Sequence, residues 1–294
     1  MSQTTMNERS KVTVVCESVA MIPDQVAKQL GIPIVPFTVN VNGKSYLDGI
    51  NLQPAELYRR MRVEDILPTT TAASLGSYRD TFRASIQAGA SSILCVALSS
   101  RLSAGYSTAC EAAKLVQAEF PDCTIAVMDT LHVTSSQGFV AIAAAKAAAE
   151  GKSLAEVRQV AEEACTHVGF FITLETLDYL ARGGRIGKAS YMLGSLIKIK
   201  PILTLEKGEI APVDRVRGDN HALNMIVDHV ARKADGRSAL HIAVMDADAP
   251  EQAMLLKELV QEKLQPVEIL TRDFTPVLGV HVGPGMVGLA YYYE

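Results

Sequence analysis

The sequence predicts an α/β protein with two domains, and three observations indicate this. The chain of 294 residues is long enough for two ordinary cores. Strand-like and helix-like segments alternate through its first half, and the strands there are apolar throughout, which favours a mostly parallel sheet with helices on both faces. The second half contains a hairpin, which favours a mixed or antiparallel sheet with helices. We therefore expect an N-terminal α/β domain over residues 1–151 and a C-terminal α/β domain over residues 152–294.

Local signals mark the elements of the first half. Gly31 ends a predicted helix, Asn42-Gly43 marks a tight hairpin turn, and Pro54 suits the first turn of a helix. The predicted order is strand KVTVVCE, helix IPDQVAKQLG, extended IPIVPFTVNV, helix PAELYRRM, loop LPTTTAAS, helix LGSYRDTFRASIQAGA, strand ASSILCVAL, helix SAGYSTACEAAKLVQAEF, strand CTIAVMD and helix SQGFVAIAAAKAAAEG.

The second half shows a different order of elements. A hairpin is expected where PILTLEKGEIAPVDRVRG turns at Lys207-Gly208. The other predicted elements are helix SLAEVRQVAEEACTH, strand GFFITLE, short helices LDYLARGG and KASYMLGSLIK, helix HALNMIVDHVARKA, strand ALHIAVMDA, helix PEQAMLLKELVQEKL, strand PVEILTRDF and closing strand GLAYYY.

Composition excludes several classes of protein. The net charge of −4 and the pI of about 5.9 argue against nucleic acid as a partner. The polar start MSQTTMNERSK does not resemble a secretory signal, and the apolar run FVAIAAA is cut by Lys146, far short of the roughly 20 residues that a membrane span needs. Five cysteines without a C-x-x-C pair predict reduced thiols and a cytoplasmic protein. Scattered histidines predict no metal site.

Two glycine-rich stretches resemble nucleotide-binding loops, but each lacks the required context. Gly283, Gly285 and Gly288 have the spacing G-x-G-x-x-G, but strand-like LAYYYE follows them instead of a helix. GGRIGKAS has the wrong glycine spacing for a phosphate-binding loop, and alanine follows its lysine. We expect the glycines of the first stretch to allow a close backbone approach to a bound group, and Pro284 to stiffen the turn that aims His281.

Two loops are rich in hydroxyl groups. The first is TTTAAS and contains Thr70, and the second is SSRLSAG and contains Ser103. The second loop follows a predicted strand and precedes a helix, where α/β sheets usually bind ligands and free N–H groups can hold an oxyanion. Each hydroxyl alone is also compatible with ordinary helix capping, as at Ser74.

Four segments resemble the DegV family, bacterial fatty-acid-binding subunits that work with a fatty acid kinase. PTTTAAS is similar to the family's P-x-T-S-Q-P-S, and SSRLSAGYSTA to S-S-x-L-S-G-T-Y-x-S-A. The stretch from LDYLARGGRIG to VDRVRG resembles the family throughout, and HVGPGMVGLAYY is similar to its H-x-G-P-G-x-x-G ending. The chain departs from the family at Ala72-Ala73, at Ala104, and in the opening segment that ends at Met21.

The resemblance implies a function and a set of site residues. It implies two α/β domains with an acyl chain in the cleft between them, no cofactor and no catalysis by this chain. The protein would present a long-chain fatty acid to the kinase for acyl phosphate formation in phospholipid metabolism, with transient membrane contact. By matched position the ligand-binding residues are Thr70, Thr71, Ser103, Ala104, Arg185 and His281. Arg217 would face the kinase.

Two other functions remain open at the level of sequence. One is an enzyme acting on a small carboxylate or phosphate, with His281 as general base and Ser103 as nucleophile or anchor. The other is a regulator that senses lipid in the same cleft. A narrow apolar tunnel would favour a lipid ligand, and a small polar pocket would favour the enzyme.

Overall fold

A computed structural model of the chain describes residues 11–64, 66–194, 199–234 and 239–294. Its helices are α1 Asp24–Leu30, α2 Pro54–Val63, α3 Leu75–Gln87, α4 Gly105–Glu119, α5 Thr134–Ala149, α6 Leu154–His167, α7 Asp178–Arg182, α8 Asp219–Ala234, α9 Pro250–Leu264 and α10 Pro276–Val282. Its strands are β1 Val12–Glu17, β2 Ile34–Val35, β3 Thr38–Val41, β4 Lys44–Leu47, β5 Thr69–Thr71, β6 Ser92–Ala97, β7 Thr124–Asp129, β8 Val168–Thr173, β9 Lys200–Glu206, β10 Glu209–Val216, β11 Leu240–Ala247, β12 Glu268–Asp273 and β13 Met286–Tyr293.

The first sheet is parallel, as the sequence predicts. Its strand order is β2-β1-β6-β7, and each neighbouring pair is parallel. Every residue of β6 is buried, because helices cover both faces. Helices α3 and α4 pack as one pair, and α5 and α6 pack as another. The second pair also contacts β13, so it lies between the two main sheets.

The second main sheet is mixed, which confirms the prediction for the C-terminal half. Its order is β10-β9-β8-β13-β11-β12, and only the β11–β12 pair is parallel. Helices α8 and α9 pack on it over a separate apolar core. The hairpin turns at Lys207 and Gly208, whose φ values of 51° and 83° suit a tight β-turn.

A third, three-stranded sheet corrects two expectations. Its order is β4-β3-β5, and all of its pairs are antiparallel. Residues 69–71, predicted as loop, form β5, because β3 supplies backbone partners that local sequence does not reveal. The extended stretch IPIVPFTVNV is divided, with β2 in the parallel sheet and β3 here. The predicted turn at Asn42-Gly43 is confirmed, with φ values of 49° and 75°.

Helix α10 was not predicted, and it positions the ring of His281. The helix is short and almost entirely buried, so it lacks the polar face that reveals a surface helix. Pro276 stands in its first turn, and the carboxylate of Asp48 accepts a hydrogen bond from the backbone N–H of Val277 at 2.9 Å. The same carboxylate thus satisfies one of the free donors at the start of the helix.

The three glycines of the terminal motif pack against protein, which corrects the expected approach to a headgroup. A Cβ atom at Gly283 would collide with the ring of Tyr179, and one at Gly285 with the side chain of Glu175. In the middle of β13, a Cβ at Gly288 would collide with the backbone of β8. The motif therefore permits close packing of protein around α10 and β13.

Two further expectations meet the structure only in part. KASYMLGSLIK forms a short 3-10 helix at Gly187–Met192, and its residues 195–198 lie outside the described part of the chain. The domain boundary at residue 151 stays a prediction, between the end of α5 and the start of α6.

Among the described residues, no helix combines the length and the apolar character needed to cross a bilayer.

A buried carboxyl group ends strand β1. Glu17 is fully buried, and its carboxylate accepts hydrogen bonds from the hydroxyl of Tyr78 at 2.6 Å, the backbone N–H of Leu98 at 2.7 Å and the side-chain amide of Gln137 at 2.7 Å. Burial raises the pKa of Glu17 to about 7, although the three donors act in the opposite direction. The group therefore titrates near neutrality.

We expect Glu17→Gln to change how stability depends on pH. Between the ordinary pKa of 4.5 and the folded value of about 7, the folded wild type holds a proton that the unfolded chain has lost. Its stability should fall as pH rises through this window, by about 3 kcal/mol from this group, and the variant should lack that loss. Urea unfolding at about pH 5 and about pH 8 measures the difference.

The exposed Glu111→Gln is the matched control and should keep the wild-type pH dependence. If the free energies of unfolding of Glu17→Gln and wild type changed equally across this pH window, Glu17 would not titrate there.

Candidate functional site

A narrow apolar cavity lies where the two halves of the chain meet. Its volume is about 90 Å³, and the whole space within its walls, including its open mouth, is about 700 Å³. The apolar lining residues are Val19, Phe37, Ala72, Leu98, Leu102 and Val133 from the first half, and Phe170, Ile172, Leu180, Ile210, Phe274, Val277, Leu278 and Val282 from the second. Such a lining suits a slender apolar ligand.

Four of the predicted site residues line this same cavity. They are Thr70, Ser103, Arg185 and His281. The hydroxyl oxygen of Thr70 lies 2.8 Å from Nε2 of His281, in a hydrogen bond between residues 211 positions apart. The structure thus brings the first hydroxyl loop, the second hydroxyl loop and the terminal histidine to one place.

Different elements position these side chains. Thr70 lies in β5, opposite Val39 of β3, and His281 lies in the last turn of α10. Ser103 lies between β6 and α4, and its hydroxyl accepts a hydrogen bond from the backbone N–H of Gly105 at 3.2 Å. Ser103 and His281 make no hydrogen bond with each other, so the structure shows no pairing of a nucleophile with a base.

The guanidinium of Arg185 is held by two carbonyl groups. Its Nε donates to the carbonyl of Leu102 at 2.9 Å, and its Nη1 donates to that of Gly183 at 2.6 Å. The second contact caps a carbonyl group at the end of α7. The first contact joins the two halves of the chain. Because both bonds fix the guanidinium, its remaining N–H groups are held in place at the cavity.

His281 is neutral at physiological pH. Burial and, to a smaller extent, the positive charge of Arg185 together lower its pKa from the ordinary 6.5 to about 4. Gly183 leaves the room that the ring occupies, since a Cβ there would collide with Nδ1. Nδ1 has no hydrogen-bond partner among the described residues. One ring nitrogen is therefore engaged with Thr70, and the other is unpaired.

Three other predicted residues lie away from the cavity. Thr71 is exposed, and its hydroxyl accepts a hydrogen bond from the side-chain amide of Asn40 at 3.0 Å. Ala104 is exposed immediately before α4. Arg217 is exposed between β10 and α8 and lines neither the cavity nor the cleft described next. Binding roles for these residues remain predictions.

An outer cleft of about 360 Å³ adjoins the cavity. Thr70, Arg185 and His281 line both spaces, so these three side chains form the boundary between them. The other lining residues are Leu67, Pro68, Thr69, Tyr179, Arg182, Gly183 and Val280. Arg182 was not predicted as a site residue, although LARGGRIG places it three residues before Arg185 across a glycine turn.

Thr134 is a second lining residue that the sequence analysis missed. Its φ of 62° is uncommon for a β-branched residue, it is 3% exposed, and its hydroxyl has no partner among the described residues. A signal was present, because the hydroxyl run TSSQ opens a predicted helix a few residues after the strand CTIAVMD, and SSRLSAG precedes a helix after ILCVAL. The described residues contain no group of three or more side chains able to hold a metal ion.

Comparisons with known proteins agree with the sequence resemblance. A family model described as "Uncharacterised protein, DegV family" matches residues 11–294. A DegV domain-containing protein of Clostridium acetobutylicum is 32% identical over 283 residues, which are 96% of this chain and 98% of that protein.

Solved structures of similar proteins share the fold. A DegV family protein from Thermus thermophilus, described by its fatty acid binding, has a TM-score of 0.89 at 29% identity, covering 97% of this chain and 100% of that one. DegV of Bacillus subtilis, described as a fatty acid binding protein, has a TM-score of 0.88 at 26% identity, with coverage of 97% and 100%. Both are described by binding and not by catalysis.

We expect His281 to titrate with a pKa of about 4 in protein freed of bound ligand, and Arg185→Met to raise that pKa. Removal of a neighbouring positive charge favours the imidazolium, but burial, the larger cause, remains. NMR-monitored titration of the ring measures both values, and His281→Gln identifies the resonance by its loss. A ring that titrates near its ordinary value of 6.5 would contradict the burial described here.

Proposed function

The chain belongs to the DegV family, and we propose that it is a fatty-acid-binding carrier that presents the carboxyl group of its ligand to a fatty acid kinase. One observation carries the proposal. A single cavity has apolar walls and also contacts Thr70, Ser103, Arg185 and His281, so one ligand with a long apolar tail and an acidic head satisfies both. The similar solved structures described as fatty-acid-binding support the same ligand class.

Burial of the tail supplies the binding free energy. Each buried CH₂ contributes about 0.8 kcal/mol, so a long chain contributes on the order of 10 kcal/mol. Association costs roughly 4–15 kcal/mol, so the tail must be enclosed almost completely for useful affinity. Residues such as Phe170, Ile172 and Phe274 supply apolar walls for such a tail.

The polar residues offset the cost of burying the head. A carboxylate without partners is expensive to remove from water. Arg185 supplies positive charge, Thr70 and Ser103 supply hydroxyl groups, and His281 supplies a ring nitrogen. A bound carboxylate would also raise the pKa of His281, because a negative neighbour favours the imidazolium.

The position of these residues between cavity and cleft suits transfer to a second protein. A carboxylate held by Thr70, Arg185 and His281 would face the outer cleft, from which a kinase can reach it. In the transfer, a carboxylate oxygen forms a bond to the γ-phosphorus of ATP as the bond to ADP breaks, which gives an acyl phosphate. The kinase supplies the ATP for this step. We propose that the protein works in the cytoplasm, takes part in phospholipid metabolism and contacts the membrane transiently.

We expect protein purified without denaturation to hold a long-chain fatty acid in nearly equimolar amount. Mass spectrometry of an organic extract measures this and identifies the chain. Leu102→Trp, which fills the cavity from a half-buried loop, should carry much less. Thr70→Val keeps the shape but removes a hydroxyl from the head, and should lower affinity for added fatty acid roughly tenfold.

Wild-type protein that yields a lipid-free extract and stays empty after incubation with fatty acids would refute the carrier. A thermal unfolding curve for each variant shows whether reduced binding comes from misfolding.

We expect Arg217→Glu to weaken the kinase partnership and to leave fatty acid binding unchanged. Arg217 is exposed and has no ion-pair partner among the described residues, so reversing its charge acts on an encounter between proteins. The carrier concentration that half-saturates acyl phosphate formation should rise about tenfold. Arg215→Glu, an equally exposed reversal on β10, is the matched control. Equal effects of the two reversals would remove the specific role of Arg217.

A further inference from the structure

The outer cleft carries more positive charge than a carboxylate in the cavity requires. Arg182 and Arg185 both line it, and no Asp or Glu does so among the described residues. Resting on the proposed function, we propose that this cleft is a phosphoryl-binding site. It would hold the phosphate of the acyl phosphate outside the boundary formed by Thr70, Arg185 and His281, with Arg182 as its principal cation.

Arg182 is free to take this role. It ends α7, is exposed, and forms no ion pair or side-chain hydrogen bond in the described part of the chain. Arg185, in contrast, already donates to the carbonyls of Leu102 and Gly183. The site thus has one arginine fixed by the protein and one that can turn toward a ligand.

A phosphoryl group suits the cleft better than a second carboxylate does. It carries nearly two negative charges near neutral pH and three oxygens that need donors. Arginine pairs with two such oxygens at once through its planar fork. Thr69 and Tyr179 line the same cleft and bring hydroxyl groups for further oxygens. The carbonyl of Gly183, which would repel an anion at the end of α7, is already engaged by Arg185.

The position of the cleft explains how one carrier can hold both substrate and product. The carboxyl carbon stays at Thr70 and His281 in both, and the product adds its phosphate on the outer side. An acyl chain therefore need not move when its head is phosphorylated. Arg182 contributes to the affinity for product and little to that for the free acid, because screening by water weakens its effect on the more distant carboxylate.

Hexadecylphosphonate and palmitate test this assignment with tails of matched length. The phosphonate is a hydrolysis-resistant stand-in for the larger, doubly charged head. Affinities are measured by calorimetry at low salt for wild type, Arg182→Gln and the exposed control Arg215→Gln. We expect Arg182→Gln to weaken phosphonate binding about tenfold and palmitate binding less than about twofold. Arg215→Gln should change neither, and added salt should narrow the difference between wild type and Arg182→Gln.

The outcomes distinguish the phosphoryl site from the carrier function. Wild type that binds palmitate but not the phosphonate, or an Arg182→Gln variant that retains full phosphonate affinity, would overturn the phosphoryl site and leave the carrier intact. Equal losses for both ligands in a variant with a wild-type unfolding temperature would place Arg182 at the carboxylate instead. Wild type that binds neither ligand would overturn the carrier as well as this inference.

Discussion

The hydrogen bond between Thr70 and His281 joins the two halves of the chain at the head of the cavity. It connects β5 of the smallest sheet with α10, across 211 positions of sequence. Beside it, Arg185 donates to the carbonyl of Leu102, which joins α7 to the loop after β6. Most of the other residues that line the cavity are apolar. The side chains of Thr70, Arg185 and His281 also line the outer cleft, so the cavity has a polar side toward that cleft.

The electrostatics of the polar side of the cavity, at His281 and Arg185, depend on burial as much as on charge. His281 is neutral because an imidazolium would lose its water and lie near Arg185. The guanidinium of Arg185 donates to two carbonyl groups, which satisfy part of its hydrogen-bonding capacity. The boundary formed by Thr70, Arg185 and His281 therefore carries one positive charge, that of Arg185, and the exposed Arg182 adds a second in the outer cleft. Glu17 is buried apart from this group, and its three donors only partly offset the burial that raises its pKa to about 7.

The sequence predicted the elements that depend on neighbouring residues. It did not predict those that depend on residues far away in the chain. The turn at Asn42-Gly43 and the buried strand β6 both follow from neighbouring residues, and both are present. The strand β5 depends on pairing with β3, and α10 is too short and too apolar to show a helical period. The glycines of the terminal motif could not be interpreted from spacing, because Tyr179 lies more than a hundred residues away. The gathering of Thr70, Ser103 and His281 was anticipated only through family resemblance.

The central place of β13 has a consequence for how the protein is made. This strand is the last in chain order, yet it lies between β8 and β11 and forms hydrogen bonds with both. During synthesis the strands made earlier must wait, with unpaired edges, until residues 286–293 have left the ribosome. His281 leaves only shortly before them. An internal strand that is made after both of its neighbours thus lengthens the interval in which the nascent chain exposes strand edges that favour aggregation.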